Sequence, residues 1–285
     1  MERITLERLI AIVQEAAGRM RTEHFEVFEK EGAANIVTSS DVAVQEFLCE
    51  RLSEAMPGSG FLCEEADQWV MADYTWIIDP IDGTCNYSRG IPQCAICVGL
   101  KHGEAMEMAV VYLPMTGELF SAERGKGAYL NGKCIQVSDR PFENAVMCTA
   151  LAVYHKEHAR LCSEIILDTF MQCNDIRRFG AAAPELCYMA MGRCELYFEY
   201  QLSPWDYAAA SLIVEEAGGT LSALDGSSLP LTHPSGVLAA NSEQNLQRLQ
   251  GIVKRHLNAE RYLSTAGSSM RFQMSPRKAA PPKCH

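Results

Sequence analysis

Trp76-Ile77-Ile78-Asp79-Pro80-Ile81-Asp82-Gly83-Thr84 decides how this chain is read. The aromatic and β-branched run predicts a buried strand, and that strand ends in two carboxylates, a proline, a glycine and a hydroxyl. Buried unpaired carboxylates are costly, and several converging on one point are most cheaply compensated by a hard divalent cation with oxygen ligands. Pro80 is expected to stop the ladder and turn the chain. Asp79, the Ile81 carbonyl and Asp82 are therefore expected to face one locus, although the two acids are not two residues apart. Gly83 and Thr84 bring backbone N–H groups to a predicted helix start, where an anion is favoured by unpaired donors and the helix dipole. A cation seat beside an anion seat suits a phosphate ester. Taken alone, the hexapeptide reads equally well as an Asp-Pro turn followed by an Asp-Gly turn.

Two other segments shift that balance. Glu64-Glu65 follows the short apolar run Phe61-Leu62-Cys63, again a carboxylate pair at a predicted strand end. Trp205-Asp206 opens an alanine-rich helical stretch, Ala208 to Ala217, closed by Gly218-Gly219. By itself Asp206 reads as an N-cap worth about 1 kcal/mol. Together the three segments resemble the inositol monophosphatase family of Mg²⁺-dependent, lithium-sensitive phosphatases. Cys63-Glu64-Glu65 stands where the family has Gly-Glu-Glu, and Asp79 to Thr84 matches Asp-Pro-(Ile/Leu)-Asp-Gly-Thr. Trp205-Asp206 through Glu216-Ala217-Gly218-Gly219 matches a second signature. Lesser agreement is seen at Asn35-Ile36-Val37-Thr38, Asp41 and Asn86-Tyr87, and the resemblance runs in order and spacing over most of residues 1–260.

The resemblance implies a layered αβαβα sandwich of the inositol monophosphatase and fructose-1,6-bisphosphatase type, and two or three Mg²⁺ ions where its halves meet. It makes Glu64, Asp79, the Ile81 carbonyl, Asp82 and Asp206 the metal ligands. Thr84 and Glu64 would orient the attacking water, with Asp79 beside them. Asp82, Gly83, Thr84, Ala182, Glu199 and Asp206 would touch substrate, and Glu65, Lys30 and Asp41 would support the ligands from behind. Water attack in a multi-metal site needs no covalent nucleophile. The implied substrate is a small phosphate monoester, first an inositol 1- or 4-phosphate. Fructose bisphosphate, histidinol phosphate and 3′-phosphoadenosine 5′-phosphate are the alternatives within the family. A phosphatase-like interaction protein is the alternative of another class. The resemblance also implies a homodimer.

Two positions depart from the pattern. Cys63 replaces a glycine, and reads as a small buried apolar residue rather than a strained one. In Arg178-Phe179-Gly180-Ala181-Ala182-Ala183, Ala181 replaces a Ser or Thr, so a substrate or helix-capping hydrogen bond is expected to be missing. Glu199, in Tyr197-Phe198-Glu199-Tyr200, matches an acid that touches substrate hydroxyls; its plain alternative is an exposed strand acid.

The 285 residues leave room for one large domain or two smaller ones. A net charge of −11 argues against nucleic acid as an electrostatically held partner. Twelve cysteines are many, but they are scattered through apolar segments. Cys94-x-x-Cys97 is unpaired with any second such motif, so neither zinc nor a redox motif is predicted. With no signal peptide and no membrane-length apolar run, a cytoplasmic, reduced protein without membrane contact is expected. His155 and His158 flank Lys156-Glu157 and are read as solvated.

Helix and strand alternate along the chain. Leu6, Leu9, Ile10, Val13, Ala17 and Met20 fall at helical spacing. Ser39-Ser40-Asp41 starts a second helix, stopped at Pro57-Gly58. From Cys94 to Val137 successive antiparallel strands are predicted, turning at His102-Gly103, Pro114 to Gly117 and Asn131-Gly132. A strand over Val146–Val153, a helix to about Gln172, a strand over Leu196–Tyr200 and the helix after Asp206 follow. This divides the chain into an α+β half, 1–140, an α/β half, 141–260, and a basic tail, 261–285. The tail has five Lys or Arg and no acid, and is expected to be disordered.

Overall fold

The structure is a computed structural model that describes residues 4–20, 25–30, 36–66 and 68–267. Helix α1 spans Leu6–Ala17 and buries Leu9, Ile12, Val13 and Ala16, the stripe its 3.6-residue period predicts. The Thr5 side chain accepts a hydrogen bond from the Arg8 N–H at its start. A short hairpin, β1 (Val27–Glu29) and β2 (Ile36–Thr38), leads into α2 (Ser39–Ala55). A capping box opens α2: the Thr38 N–H donates to Asp41 Oδ2 at 2.8 Å, and the Asp41 N–H returns the bond to Thr38 Oγ1.

The first large sheet follows nearly in chain order: β3 (Gly60–Cys63), β4 (Tyr74–Asp82), β5 (Ala95–His102), β6 (Ala105–Leu113), β7 (Glu118–Glu123), β8 (Ala128–Leu130) and β9 (Lys133–Ile135). Only the β3–β4 pair is parallel; the rest are antiparallel neighbours joined by short turns. Asn131 and Gly132 both take positive φ (49° and 75°), as a two-residue hairpin turn requires. A single helical turn, α3 (Thr84–Tyr87), interrupts the run after β4. An unforeseen turn at Arg124–Gly127 is braced from the other half, where Glu216 accepts the N–H groups of Gly125 and Gly127 at 2.8 Å each.

The second half contributes β10 (Val146–Thr149), α4 (Ala159–Phe170), β11 (Asp175–Arg177), α5 (Ala182–Ala190), β12 (Leu196–Leu202), α6 (Pro204–Glu216), β13 (Thr220–Ser222), β14 (Ser235–Ala240) and α7 (Glu243–Gly267). Its strands form a five-stranded mixed sheet, β11-β10-β12-β14-β13. Side-chain alternation sorts the molecule into five layers. Trp76, Ile78, Val98 and Val110 face α1 and α2, whereas Ile77, Cys97 and Val111 face α5 and α6. On the second sheet Tyr197 and Ala239 turn inward to the same α5–α6 layer, and Leu196, Phe198 and Leu238 turn outward to α4 and α7. The order is helices, sheet, helices, sheet, helices, which is the expected αβαβα sandwich.

One expectation is corrected and another lies mostly outside the described residues. The strand predicted over Val146–Val153 stops at Thr149, because the chain leaves the sheet at Ala150, with Ala152 at φ 46°, to line a cavity. The tail expected from Arg261 begins inside α7, which continues to Gly267; residues 268–285 lie outside the described residues.

Candidate active site

Two residues three apart on a regular strand point to opposite faces. In β4 they do not, because Asp79 pairs with Cys97 and Asp82 with Ala95, so three steps on one strand oppose two on the other. Pro80, which has no N–H to give the ladder, sits in this bulge. Both acids thus line the same cavity, of about 350 Å³. The Ile81 N–H donates to Asp79 Oδ1 at 3.0 Å, and the Thr84 hydroxyl lies 3.0 Å from the Ile81 carbonyl and 3.2 Å from Asp41 Oδ1. Gly83 makes the turn at φ 85°. A Cβ there would meet the Gln93 carbonyl and the Ala181 methyl, each at 2.9 Å, so only glycine fits.

Parallel to β4, β3 delivers Glu64 just beyond its last residue, with the Glu64 N–H bonded to the Ile78 carbonyl at 3.2 Å. Lys30 bridges the acid pair, reaching Glu64 Oε1 at 3.1 Å and also Glu65 Oε1. The Glu65 N–H is held by Gln45 of α2 at 2.9 Å. Cys63 is buried and is not among the positive-φ residues, so the family's glycine is not needed there for its backbone freedom.

The second half closes the cavity with helix starts. Asp206 is the third residue of α6 rather than its cap: its carboxylate accepts the Ser203 N–H at 2.7 Å and still lines the cavity. Ala181, at the N-cap of α5, offers no side-chain bond. That role passes to Asp82, which accepts the Ala183 N–H at 2.6 Å and the Ala182 N–H at 3.3 Å across the seam between the halves. Glu199, on β12, is half-buried at the cavity wall and accepts a bond from the Tyr197 hydroxyl at 2.5 Å.

This arrangement is electrostatically unbalanced. Burial, then the charges of Glu64, Asp82 and Asp206, push the Asp79 carboxyl well above its ordinary range. Asp206 is raised in the same way, by burial and then by Glu64 and Asp82. Asp82 is pushed up to about 7 by burial despite its two N–H donors, and Glu199 to about 7 by burial against the opposing pull of Tyr197 and Arg178. Glu65 rises to about 7 and Asp41 to about 6, burial again leading. Carboxylates whose proton affinity is raised by burial and by one another's charge fit divalent cations, which would take their oxygens as ligands and supply the compensating positive charge. Among the described residues no three His, Cys, Asp or Glu side chains are, as they stand, gathered closely enough to hold a metal ion.

The structure therefore brings every expected site residue to one cavity or directly behind it. Glu64, Asp79, Ile81, Asp82, Gly83, Thr84, Ala182, Glu199, Asp206 and Lys30 line it; Glu65 and Asp41 touch the lining. Ala182 spends its N–H on Asp82 and presents only the rest of its surface. His155 is not purely solvated: it lines the mouth and meets Gln201 at 3.1 Å, with Tyr154 beside it. Sequence reading had no signal for Tyr154 or Gln201, which reach the site through a loop and a strand irregularity. Two larger cavities, about 590 Å³ beside α1 and about 860 Å³ beside the start of α7, gather no such set of carboxylates.

A layered αβαβα protein with an acid-lined cavity at the seam of its two sheets is the class these observations define. The chain matches the model of the Inositol monophosphatase family over residues 3–258 and belongs to that family. It is 34% identical over 252 residues to the inositol-1-monophosphatase of Caulobacter vibrioides, covering 85% of this chain and 98% of the relative. It is 36% identical over 200 residues to the Nus factor SuhB of Escherichia coli, covering 69% and 75%. Among solved structures, the extragenic suppressor protein suhB of Bartonella henselae superimposes with a TM-score of 0.81 at 30% identity, covering 87% of this chain and 97% of the other. No helix among the described residues is long and apolar enough to cross a membrane.

Proposed function

We propose that this protein is a Mg²⁺-dependent phosphate monoester hydrolase acting on an inositol phosphate or a related polyol monophosphate by direct attack of water. One observation carries the reading: Glu64, Asp79, Asp82 and Asp206, from three separate elements, line one cavity, where burial and neighbouring negative charge raise the proton affinity of Asp79, Asp82 and Asp206. These acids and the Ile81 carbonyl would hold Mg²⁺, which would supply positive charge for phosphoryl oxygens and for a water to be deprotonated. The chain's own residues do the rest. Thr84, fixed between the Ile81 carbonyl and Asp41, and Glu64, held by Lys30, orient the water and take its proton. Glu199 accepts hydrogen bonds from substrate hydroxyls and repels a second phosphate. Ala181 offers no hydroxyl, so discrimination among ring patterns is expected to be looser by about 0.5–1.5 kcal/mol for each missing bond.

Phosphate release with and without Mg²⁺, across inositol phosphates, fructose 1,6-bisphosphate, histidinol phosphate and 3′-phosphoadenosine 5′-phosphate, tests the proposal. Turnover of inositol 1-phosphate ahead of the bisphosphate is expected, with inhibition as Li⁺ replaces K⁺ at constant ionic strength. A preference for the bisphosphate would replace the polyol assignment. The relatives named Nus factor SuhB favour a second reading, a protein whose fold serves interaction rather than hydrolysis. Absence of Mg²⁺-dependent turnover on every substrate would select it.

A further inference from the structure

Helix α2 touches the site along one stripe. Asp41, Gln45 and Cys49 stand four residues apart, so they share a helix face. Asp41 meets the Thr84 hydroxyl at 3.2 Å, Gln45 holds the Glu65 N–H at 2.9 Å, and Cys49 Sγ lies 3.8 Å from Cys63 Sγ. Cys63 is the last residue of β3 and directly precedes Glu64; its carbonyl accepts the Trp69 indole N–H at 3.1 Å. The first two contacts hold the carboxylate end of β3 and β4 in place. The third brings together two thiols, one of them half-buried, beside the strand end that carries a proposed metal ligand.

We propose that Cys49 and Cys63 form a peroxide-sensitive dithiol whose disulfide ties α2 to the end of β3 and lowers turnover. The proposal rests on the hydrolase reading for its effect on activity, but not for the bond itself. Hydrogen peroxide is the oxidant. The Cys49 sulfur attacks one peroxide oxygen, an S–O bond forms, the O–O bond breaks, and the departing hydroxide takes the thiol proton as water. The Cys63 sulfur then attacks the sulfenic sulfur. An S–S bond forms, the S–O bond breaks, and the hydroxyl leaves with the Cys63 proton as a second water. Two thiol sulfurs lose two electrons and the two peroxide oxygens gain them. Closing from 3.8 Å to a bond of about 2.05 Å draws the two side chains together, and the end of β3 that carries Glu64 is expected to shift with Cys63.

Other cysteines supply internal controls. Cys148 and Cys194 stand closer, at 3.4 Å, but both are buried in the middle of the molecule, away from an aqueous oxidant. Cys85 and Cys134 are exposed and have no second thiol beside them among the described residues.

The full chain is treated with hydrogen peroxide and quenched. Its peptides are mapped without reduction, while turnover of inositol 1-phosphate is measured before treatment, after it, and after dithiothreitol. A linked Cys49–Cys63 peptide is expected, with at least a tenfold loss of turnover that dithiothreitol reverses. Cys49→Ser, or Cys49→Ala should the first fail to fold, is expected to keep both its basal turnover and its turnover after peroxide. Oxidation of Cys85 and Cys134 without the linked peptide overturns the proposal. So does a linked peptide with unchanged turnover, or an equal loss in the Cys49 variants. If the untreated protein hydrolyses nothing, the hydrolase reading and the effect on turnover both fail, and the peptide map still decides whether the pair forms.

Discussion

Strands β4 and β12 reach the cavity from opposite sheets with the same irregularity. In β4 the steps from Asp79 to Asp82 oppose only Cys97 to Ala95; in β12 the steps from Glu199 to Leu202 oppose only Val237 to Ser235. Each bulge starts at an acid and is followed directly by a helix start, α3 in one case and α6 in the other. The difference lies in what the bulge holds. That of β4 contains Pro80 and ends on Asp82, which the N-terminal N–H groups of α5 grip from the other half. That of β12 contains Tyr200 and Gln201, residues suited to an ordinary strand, and ends on buried Leu202. One side is thus built to hold charge firmly and the other to present a single acid with some latitude. Chemistry is expected to depend on the β4 side and substrate choice on the β12 side.

The largest test of that division is Asp79→Asn. Losing a carboxylate that faces three other acids and a proposed cation should cost about 3 kcal/mol or more in transition-state stabilisation, ~150-fold in kcat/KM. Near wild-type turnover at saturating Mg²⁺ would remove the β4 side from the chemistry. Thr84→Ala comes next, with a kcat loss of about 10²-fold and little change in KM, because the hydroxyl positions water rather than substrate. A change confined to KM would make Thr84 a binding residue and blur the comparison.

On the β12 side, Glu199→Gln should lower kcat/KM for inositol 1-phosphate by about 1 kcal/mol, ~5-fold, and narrow the gap to fructose 1,6-bisphosphate. An unchanged ratio of the two substrates would mean that β12 does not read the substrate. The smallest effect on turnover is expected at Glu185 of α5, which accepts the N–H groups of Phe179 and Gly180 between the two bulges. Burial first, then the charges of Glu199 and Asp82, pushes its carboxyl from the ordinary 4.5 up to about 8. The unfolded chain ionises at the lower pH. Stability from this group is therefore highest below pH 4.5, falls as pH rises toward 8, and levels off above it. The slope is on the order of 1 kcal/mol per pH unit. Thermal unfolding of metal-free protein should show that fall, and Glu185→Gln should flatten it; parallel curves for the two proteins would contradict the assignment.

How much of this was legible before folding follows from the same comparison. Pro80 between two acids announced a break in β4, because a residue without an N–H gives the ladder no bond, but the strand ends only at Asp82, which pairs again with Ala95 beyond a bulge. Nothing in Tyr200-Gln201 announced the bulge of β12, and Glu199 was placed only through family resemblance. Asp206 was legible as an acid at a helix start, but whether it capped α6 or served the cavity depended on Ser203 occupying the cap. The missing hydroxyl at Ala181 was visible; that Asp82 takes over the start of α5 was not, since the two lie a hundred positions apart. His155, Tyr154 and Gln201 carried no signal, because a cavity mouth is made by loops whose sequences obey no period.

The sequence by itself determined the first two helices, the strands around the acid motifs, the antiparallel run after Cys94, the helix after Asp206 and the acids at three strand and helix ends, because periodicity, caps and proline act over a few neighbouring residues. Only the tertiary structure decided which acids share a cavity, which backbone donors hold them, and how far burial raises their proton affinity. Those depend on the seam between two sheets, where distance along the chain no longer measures distance in space.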